Sequence, residues 1–172
     1  MRKLLCLGMV VASVGLLMAQ AENFPPDQIA PGQEGATSTH VAVAPTDIKW
    51  GEGPPVFEKG MSFAVVAGDP GKPGPFVVRL KVPAGYKIAP HWHPTDENVT
   101  VLAGTFAIGM GDKLDQAAAK KLPPGGFVLL PAQMHHYAIA ISEATVQVHG
   151  VGPFTLTYVN PADDPGNRTP AK

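Results

Sequence analysis

The sequence has a single cysteine, Cys6, among 172 residues, and it lies in an apolar N-terminal stretch. A disulfide framework is therefore excluded, and with it the small secreted scaffolds held together by several bridges. Charge is also scarce: 13 Lys and Arg stand against 14 Asp and Glu, for a formal net charge of −1. No basic run or patch is present to neutralise a phosphate backbone, so nucleic acid is not expected as a partner. Long apolar runs are missing after the N-terminus. The one stretch of that kind, residues 4–18, is about 15 residues long, short of the ~20 a membrane helix needs.

That stretch follows Arg2 and Lys3 and ends at Ala19-Gln20-Ala21, the small-x-small pattern at which signal peptidase cuts. Residues 1–21 are expected to be a cleaved signal peptide, which makes the protein secreted or periplasmic, with no membrane attachment after cleavage. Cys6 is far from the cleavage point, which argues against a lipoprotein. Arg2 is followed by Lys3, not by a second arginine, so export is expected to precede folding. The processed chain keeps no cysteine. Its stability must come from a packed core, supplemented by a metal if one is bound.

What the sequence has in quantity is glycine and proline, 19 of each. They are spread between short apolar runs, the pattern of many strands joined by tight turns. Strands are expected at 41–44, 48–50, 62–67, 76–82, 86–89, 98–103, 105–110, 127–130, 136–141, 145–149 and 154–159. Their regular spacing points to an all-β sandwich or barrel. The single helical signal is at 112–121, where Asp112 or Asp115 is placed to cap and Ala117-Ala118-Ala119 favours helix. The chain divides into the signal peptide, an extended arm at 22–40, one domain at 41–160, and a polar tail at 161–172 expected to fray.

Two segments carry chemistry. In the first, His91 and His93 are one residue apart on an expected strand, so both side chains point to one face. Pro94-Thr95-Asp96 then form a turn, after which Glu97 can return to the same interior. Two imidazoles and a carboxylate converging in this way make a partial metal site. In the second, a strand ends at Pro131 and the next opens with His135 and His136. These adjacent histidines face opposite ways. Tyr137, Ile139 and Ile141 lie on the His135 side, Ala138 and Ala140 on the His136 side, so a simple core pattern favours His135.

The two segments resemble the paired motifs of the cupin superfamily. Gly85, His91, His93, Glu97 and Gly104 match every fixed position of the first, GXXXXXHXHXXXEXXXXXXG. Gly125, Pro131 and His136 match the second, GXXXXXPXGXXHXXXN, which the chain leaves at Gln133 and Ala140. Gln133 occupies a position that often needs positive φ. The resemblance spans roughly residues 62–159 and implies a double-stranded β-helix, or jelly-roll barrel, with one short helix between the motifs. It also implies that His91, His93, Glu97 and His136 ligate one divalent transition metal, with Zn, Cu, Mn, Ni and Fe all compatible with these donors. Four protein ligands leave open positions for a small organic ligand.

With His136 turned inward, the Tyr137 face lies outside the barrel and needs cover, expected from a homodimer partner or from the 22–40 arm. Thr145, Gln147 and His149 share one strand face and are candidates to line the cavity; alternatively His149 bonds to a turn carbonyl. Trp92 faces away from the histidine pair. Asp96 is either a solvated turn residue or a group that orients a ligand imidazole. The activity is open between a metal-dependent enzyme of dioxygenase, isomerase or decarboxylase type and a non-catalytic periplasmic metal- or ligand-binding protein, because a shared fold does not transfer activity.

Overall fold

A computed structural model describes residues 40–167. The expected signal peptide at 1–21, the arm up to residue 39 and the end of the tail at 168–172 lie outside the described residues. The strands are β1 (Gly51–Glu52), β2 (Ser62–Ala67), β3 (Gly74–Val82), β4 (Lys87–Trp92), β5 (Glu97–Ala103), β6 (Phe106–Met110), β7 (Lys120–Leu122), β8 (Phe127–Leu130), β9 (His136–Ala140), β10 (Ala144–Gly152) and β11 (Thr157–Tyr158). They form two antiparallel sheets, ordered β1-β2-β3-β10-β5-β8 and β11-β4-β9-β6-β7. Neighbours in space alternate between near and distant in sequence, which is the jelly-roll connectivity.

Period-two alternation builds the core. Phe76, Val78, Leu80 and Val82 of β3 are buried, as are Val146 and Val148 of β10 and Val99 and Val101 of β5. In register, Val148 lies opposite Val78 on one side and Val99 on the other. Their inner faces meet Ile88, Phe106, Ile108, Ala138 and Ala140 of the second sheet. At Gly104, between β5 and β6, φ is 73° and a Cβ would stand 1.9 Å from the Glu143 carbonyl oxygen, so only glycine fits the turn.

Residues 112–121 do not form the expected helix. Asp115 Oδ1 accepts from the amides of Ala117 (2.8 Å) and Ala118 (3.3 Å), but it caps only one turn. One turn does not offset its own nucleation cost, and the chain instead pairs β7 with β6, Lys120 opposite Ile108. Residues 41–44 and 48–50 are not strands either. Pro45 starts a 3-10 turn, Pro45–Asp47, and sheet pairing begins only at Gly51. Of the expected strand at 154–159 only Thr157 and Tyr158 pair, with β4. The described part of the tail forms two single 3-10 turns, Pro161–Asp163 and Pro165–Asn167, the first capped by the Asn160 side chain.

Among the described residues, the outward face of β9 is covered by the chain itself. Tyr137 and Ile139 are buried in a second cluster with Ala107 and Ala119, with Leu114 and Ile141 packed against it. The connection between β6 and β7 lies over them, and the Tyr137 hydroxyl donates to the Asp115 carbonyl at 2.7 Å. The fit depends on Gly109, where a Cβ would meet the Tyr137 ring at 2.0 Å. Gly109→Ala is expected to overpack this layer and cost about 1–3 kcal/mol, read from urea denaturation midpoints. An unchanged midpoint would show that the tyrosine ring is not held against β6.

Candidate metal centre

His91 reaches the interior through a bulge. β4 and β9 pair as Ile88 with Ala138 and then His91 with His136, so three steps on β4 match two on β9. Ile88 faces inward, and an unbroken strand would turn the residue three positions later outward. The extra residue at Ala89-Pro90 restores the inward direction, and Pro90, which has no N–H for a ladder, is suited to such a bulge. His93 then shares the face of His91 just past the end of β4. His136 opens β9, and Glu97 opens β5 in the opposite sheet. The ring centroids of His91 and His136 are 4.2 Å apart, and those of His93 and His136 5.4 Å.

Backbone carbonyls set the tautomers. His91 Nδ1 lies 2.7 Å from the Ala89 oxygen, His93 Nδ1 2.8 Å from the Thr155 oxygen and His136 Nδ1 2.8 Å from the Met134 oxygen. A carbonyl oxygen only accepts, so each Nδ1 carries the proton and each Nε2 presents a lone pair. His93 Nε2 and His136 Nε2 are buried without a hydrogen-bond partner. Both nonetheless face Glu97 Oε2, at 3.5 and 3.1 Å. With the proton on Nδ1, no hydrogen stands between these atoms and their lone pairs meet. One potential ligand atom from each of His91, His93, Glu97 and His136 lies within 4.8 Å of the others.

The charges fit the same picture. Burial, reinforced by the neighbouring His136 and His93, pushes the His91 imidazole down from 6.5 to about 3. Burial also lowers His93. For Glu97 burial acts upward, but a hydrogen bond from His136 and the charge of His93, His136 and His91, available once those rings take up a proton, outweigh it and hold the carboxyl below its usual value. Neutral imidazoles and an ionised carboxylate are the protonation states in which these groups bind metals.

Two hydrogen bonds align the motifs. Gln133 N–H donates to the His93 carbonyl at 2.8 Å, and Ala132 N–H donates to Asp96 Oδ1 at 2.8 Å. Asp96 therefore fixes the turn before His136 and touches no imidazole. Gln133 has φ 63°, and it is the single non-glycine residue with positive φ among those described. The turn keeps its left-handed geometry even where the resemblance expects glycine.

The other candidates fall outside the cluster. His135 points away, partly exposed, with Nδ1 2.6 Å from Asp112 Oδ1. Thr145, Gln147 and His149 do not line the cavity, because Val146 and Val148 hold the inner face of β10. Gln147 instead accepts from Arg79 Nε on the outer face, and His149 Nδ1 has no partner, not even a turn carbonyl. Trp92 faces away from the pair, as its alternation requires.

A cavity of about 370 Å³ opens onto His91, His93 and Glu97. A recess of about 30 Å³ continues past the cluster toward His136 and Ala138. Open space thus lies mainly away from the alanines, under residues 54–57 and 154–156, which periodicity alone does not identify. Phe154 stacks on His93 with centroids 4.1 Å apart. The hydroxyls of Tyr86 and Tyr158 donate to the Glu58 and Val56 carbonyls and pin the 54–58 loop over the cavity. Burial raises the Tyr86 phenol to about 12 and Tyr158 further, which keeps both hydroxyls protonated.

Residues 38–155 match the ChrR cupin-like domain. No curated protein matches the chain. Among solved structures, the polyketide cyclase RemF from Streptomyces resistomycificus aligns with TM-score 0.61 at 18% identity, over 74% of this chain and 90% of that one. An RmlC-like cupin from Shewanella frigidimarina aligns with TM-score 0.52 at 15% identity, over 66% and 91%. The DMSP lyase DddQ from Ruegeria pomeroyi aligns with TM-score 0.51 at 20% identity, over 60% and 53%. At these identities the likeness is one of fold.

Two measurements follow from the geometry. Because His91 titrates near 3 in the fold and 6.5 outside it, the unfolded chain takes up a proton that the folded chain refuses. Chelator-treated protein should keep full stability above pH 6.5 and lose it progressively as pH falls toward 3, with Glu97 adding to the loss at the acid end. Thermal melts across this range test it, and a melting temperature that stays flat or rises on acidification contradicts it. At the turn, Gln133→Gly should stabilise by up to about 1 kcal/mol and Gln133→Val destabilise by about 1–2 kcal/mol. Equal stability of all three forms would mean that the left-handed geometry is not enforced.

Proposed function

The chain belongs to the family of ChrR cupin-like domains, and on that premise we propose that it is a metal-binding protein whose His91, His93, Glu97 and His136 hold one divalent transition metal, while a small organic ligand reaches the site from the adjoining cavity. One observation carries this reading: two buried Nε2 lone pairs face a carboxylate oxygen with no proton between them. Leaving buried polar atoms in that state is costly, and a cation between them removes the cost.

Three imidazoles and a carboxylate accept Zn, Cu, Mn, Ni or Fe, with affinity favouring Cu and Zn. A protein exported before folding takes its metal from the compartment in which it folds, which favours Zn, Cu or Mn over Fe. That compartment, the periplasm or the exterior, is inferred from residues 1–21. A metal held here supplies Lewis acidity to a chelating oxygen ligand. The chain's own residues do the rest: the three carbonyls hold the Nδ1 protons and so aim the Nε2 lone pairs inward, burial keeps His91 and His93 neutral, Phe154 stacks on the His93 ring, and the pinned 54–58 loop forms one wall of the cavity.

A metal-dependent enzyme and a non-catalytic binder both fit. The second is favoured by one feature: of the cavity lining, Thr155 alone is polar apart from His91, His93 and Glu97, so no separate general base or nucleophile is at hand.

Elemental analysis of protein purified without chelators should give about one transition metal per chain. His91→Ala and His136→Ala should weaken metal binding by at least the roughly 10- to 100-fold that losing a group behind a ligand costs. His135→Ala should leave it unchanged. Metal retained in His136→Ala but lost in His135→Ala would overturn the assignment.

A further inference from the structure

We infer that the ligand of this site is a hydrocarbon-rich small molecule with a single chelating head, its apolar body lodged in the phenylalanine-walled cavity and its oxygens at the four-residue cluster. This rests on the metal-binding reading above and adds the class of molecule that the site selects.

The cavity, at about 370 Å³, is of a size that takes a small organic molecule. Its wall is apolar almost throughout, with Phe57, Phe63, Phe76 and Phe154 joined by aliphatic side chains from β3, β4 and β10. Away from the cluster the one polar lining residue is Thr155. No lysine, arginine, asparagine or glutamine contributes to it. A second carboxylate, a phosphate or a set of sugar hydroxyls would therefore lose its water without gaining a partner, which disfavours all three classes.

The chain has such polar groups on the neighbouring strands but turns them elsewhere. Arg79 lies between two wall residues of β3, Val78 and Leu80, yet its Nε donates to Gln147 on the outer face of the sheet. Lys81 Nζ sits 4.8 Å over the Trp50 ring. Strand alternation thus directs the cations outward and leaves hydrocarbon inward. The phenyl wall continues to the cluster itself, because Phe154 stacks on His93. A ligand leaves polar surroundings within one ring's width of the imidazoles.

The test is calorimetric titration of zinc-loaded protein with straight-chain alkyl hydroxamates from acetyl to octanoyl, with an octanoyl analogue ending in a carboxylate, and with primary alcohols that carry the tail alone. Affinity should rise about three- to fourfold per added methylene until the cavity is filled. The terminal carboxylate should cancel that gain. Phe57→Ser, which removes one phenyl ring from the cavity wall, should flatten the dependence on length. Affinity independent of chain length, or equal for the carboxylate-ended ligand, overturns the inference and leaves the metal site standing. A length dependence shown equally by the alcohols and by the His91→Ala/His93→Ala protein supports the apolar cavity and removes the metal reading instead. Absence of binding by every member overturns the inference.

Discussion

Three imidazole rings are held by main-chain carbonyls so that their unprotonated nitrogens aim at one place beside the Glu97 carboxylate, and most of the local structure serves that arrangement. Each carbonyl comes from a different kind of segment: the bulge at Ala89, the turn at Met134 and the loop at Thr155. None of the three is a regular ladder position, so the carbonyls are free to accept from side chains. The tautomer follows from this, and with it the ability of the rings to donate electron pairs inward. Glu97 reaches the same point from the opposite sheet. The cluster therefore spans the gap between the two layers and does not decorate one of them.

The irregular features of the backbone gather around this point. The Ala89-Pro90 bulge corrects the parity of β4, and Gln133 holds a left-handed turn at an expense of about 1–2 kcal/mol. Asp96 ties the end of one motif to the start of the other. Departures from regular geometry persist where the surroundings over-determine them and where function uses them. Here the use is alignment: without the Asp96 and Gln133 hydrogen bonds, the turns before Glu97 and His136 would be free to move independently.

Much of this was legible in the order of residues. Dispersed glycine and proline between short apolar runs mark the all-β fold, and the spacing of His91, His93 and Glu97 marks three members of the cluster. Parity alone pointed to His135 as the fourth, since Tyr137 and Ile139 form the bulkier face. The family spacing chose His136, and the structure brings that residue to the others because the bulky face has a core of its own beneath the β6–β7 connection. Such a cover is set by a long-range contact, Tyr137 on Gly109, which no local pattern encodes. The missing helix has the same origin, as Asp115 is a sound cap but the residues after it find a strand partner. The bulge was hidden because an HXH pair reads identically on a straight strand. The cavity was hidden because residues 54–57 and 154–156 belong to irregular segments with no period to read.

The apolar cavity and the polar cluster reinforce each other. Phenylalanine walls lower the local dielectric, which weakens the charged forms of His91 and His93 and strengthens any interaction made with Glu97. The nitrogens of His93 and His136 are buried without a hydrogen-bond partner, so the cost of facing a carboxylate at 3.5 and 3.1 Å is borne inside the protein. At His93 protonation would relieve it, but burial opposes the charge. A cation relieves it without that penalty, because four donors share its charge. Residues 22–172 contain no cysteine, so such an occupant would link the two sheets as a disulfide cannot, and its binding free energy would add directly to the stability of the fold.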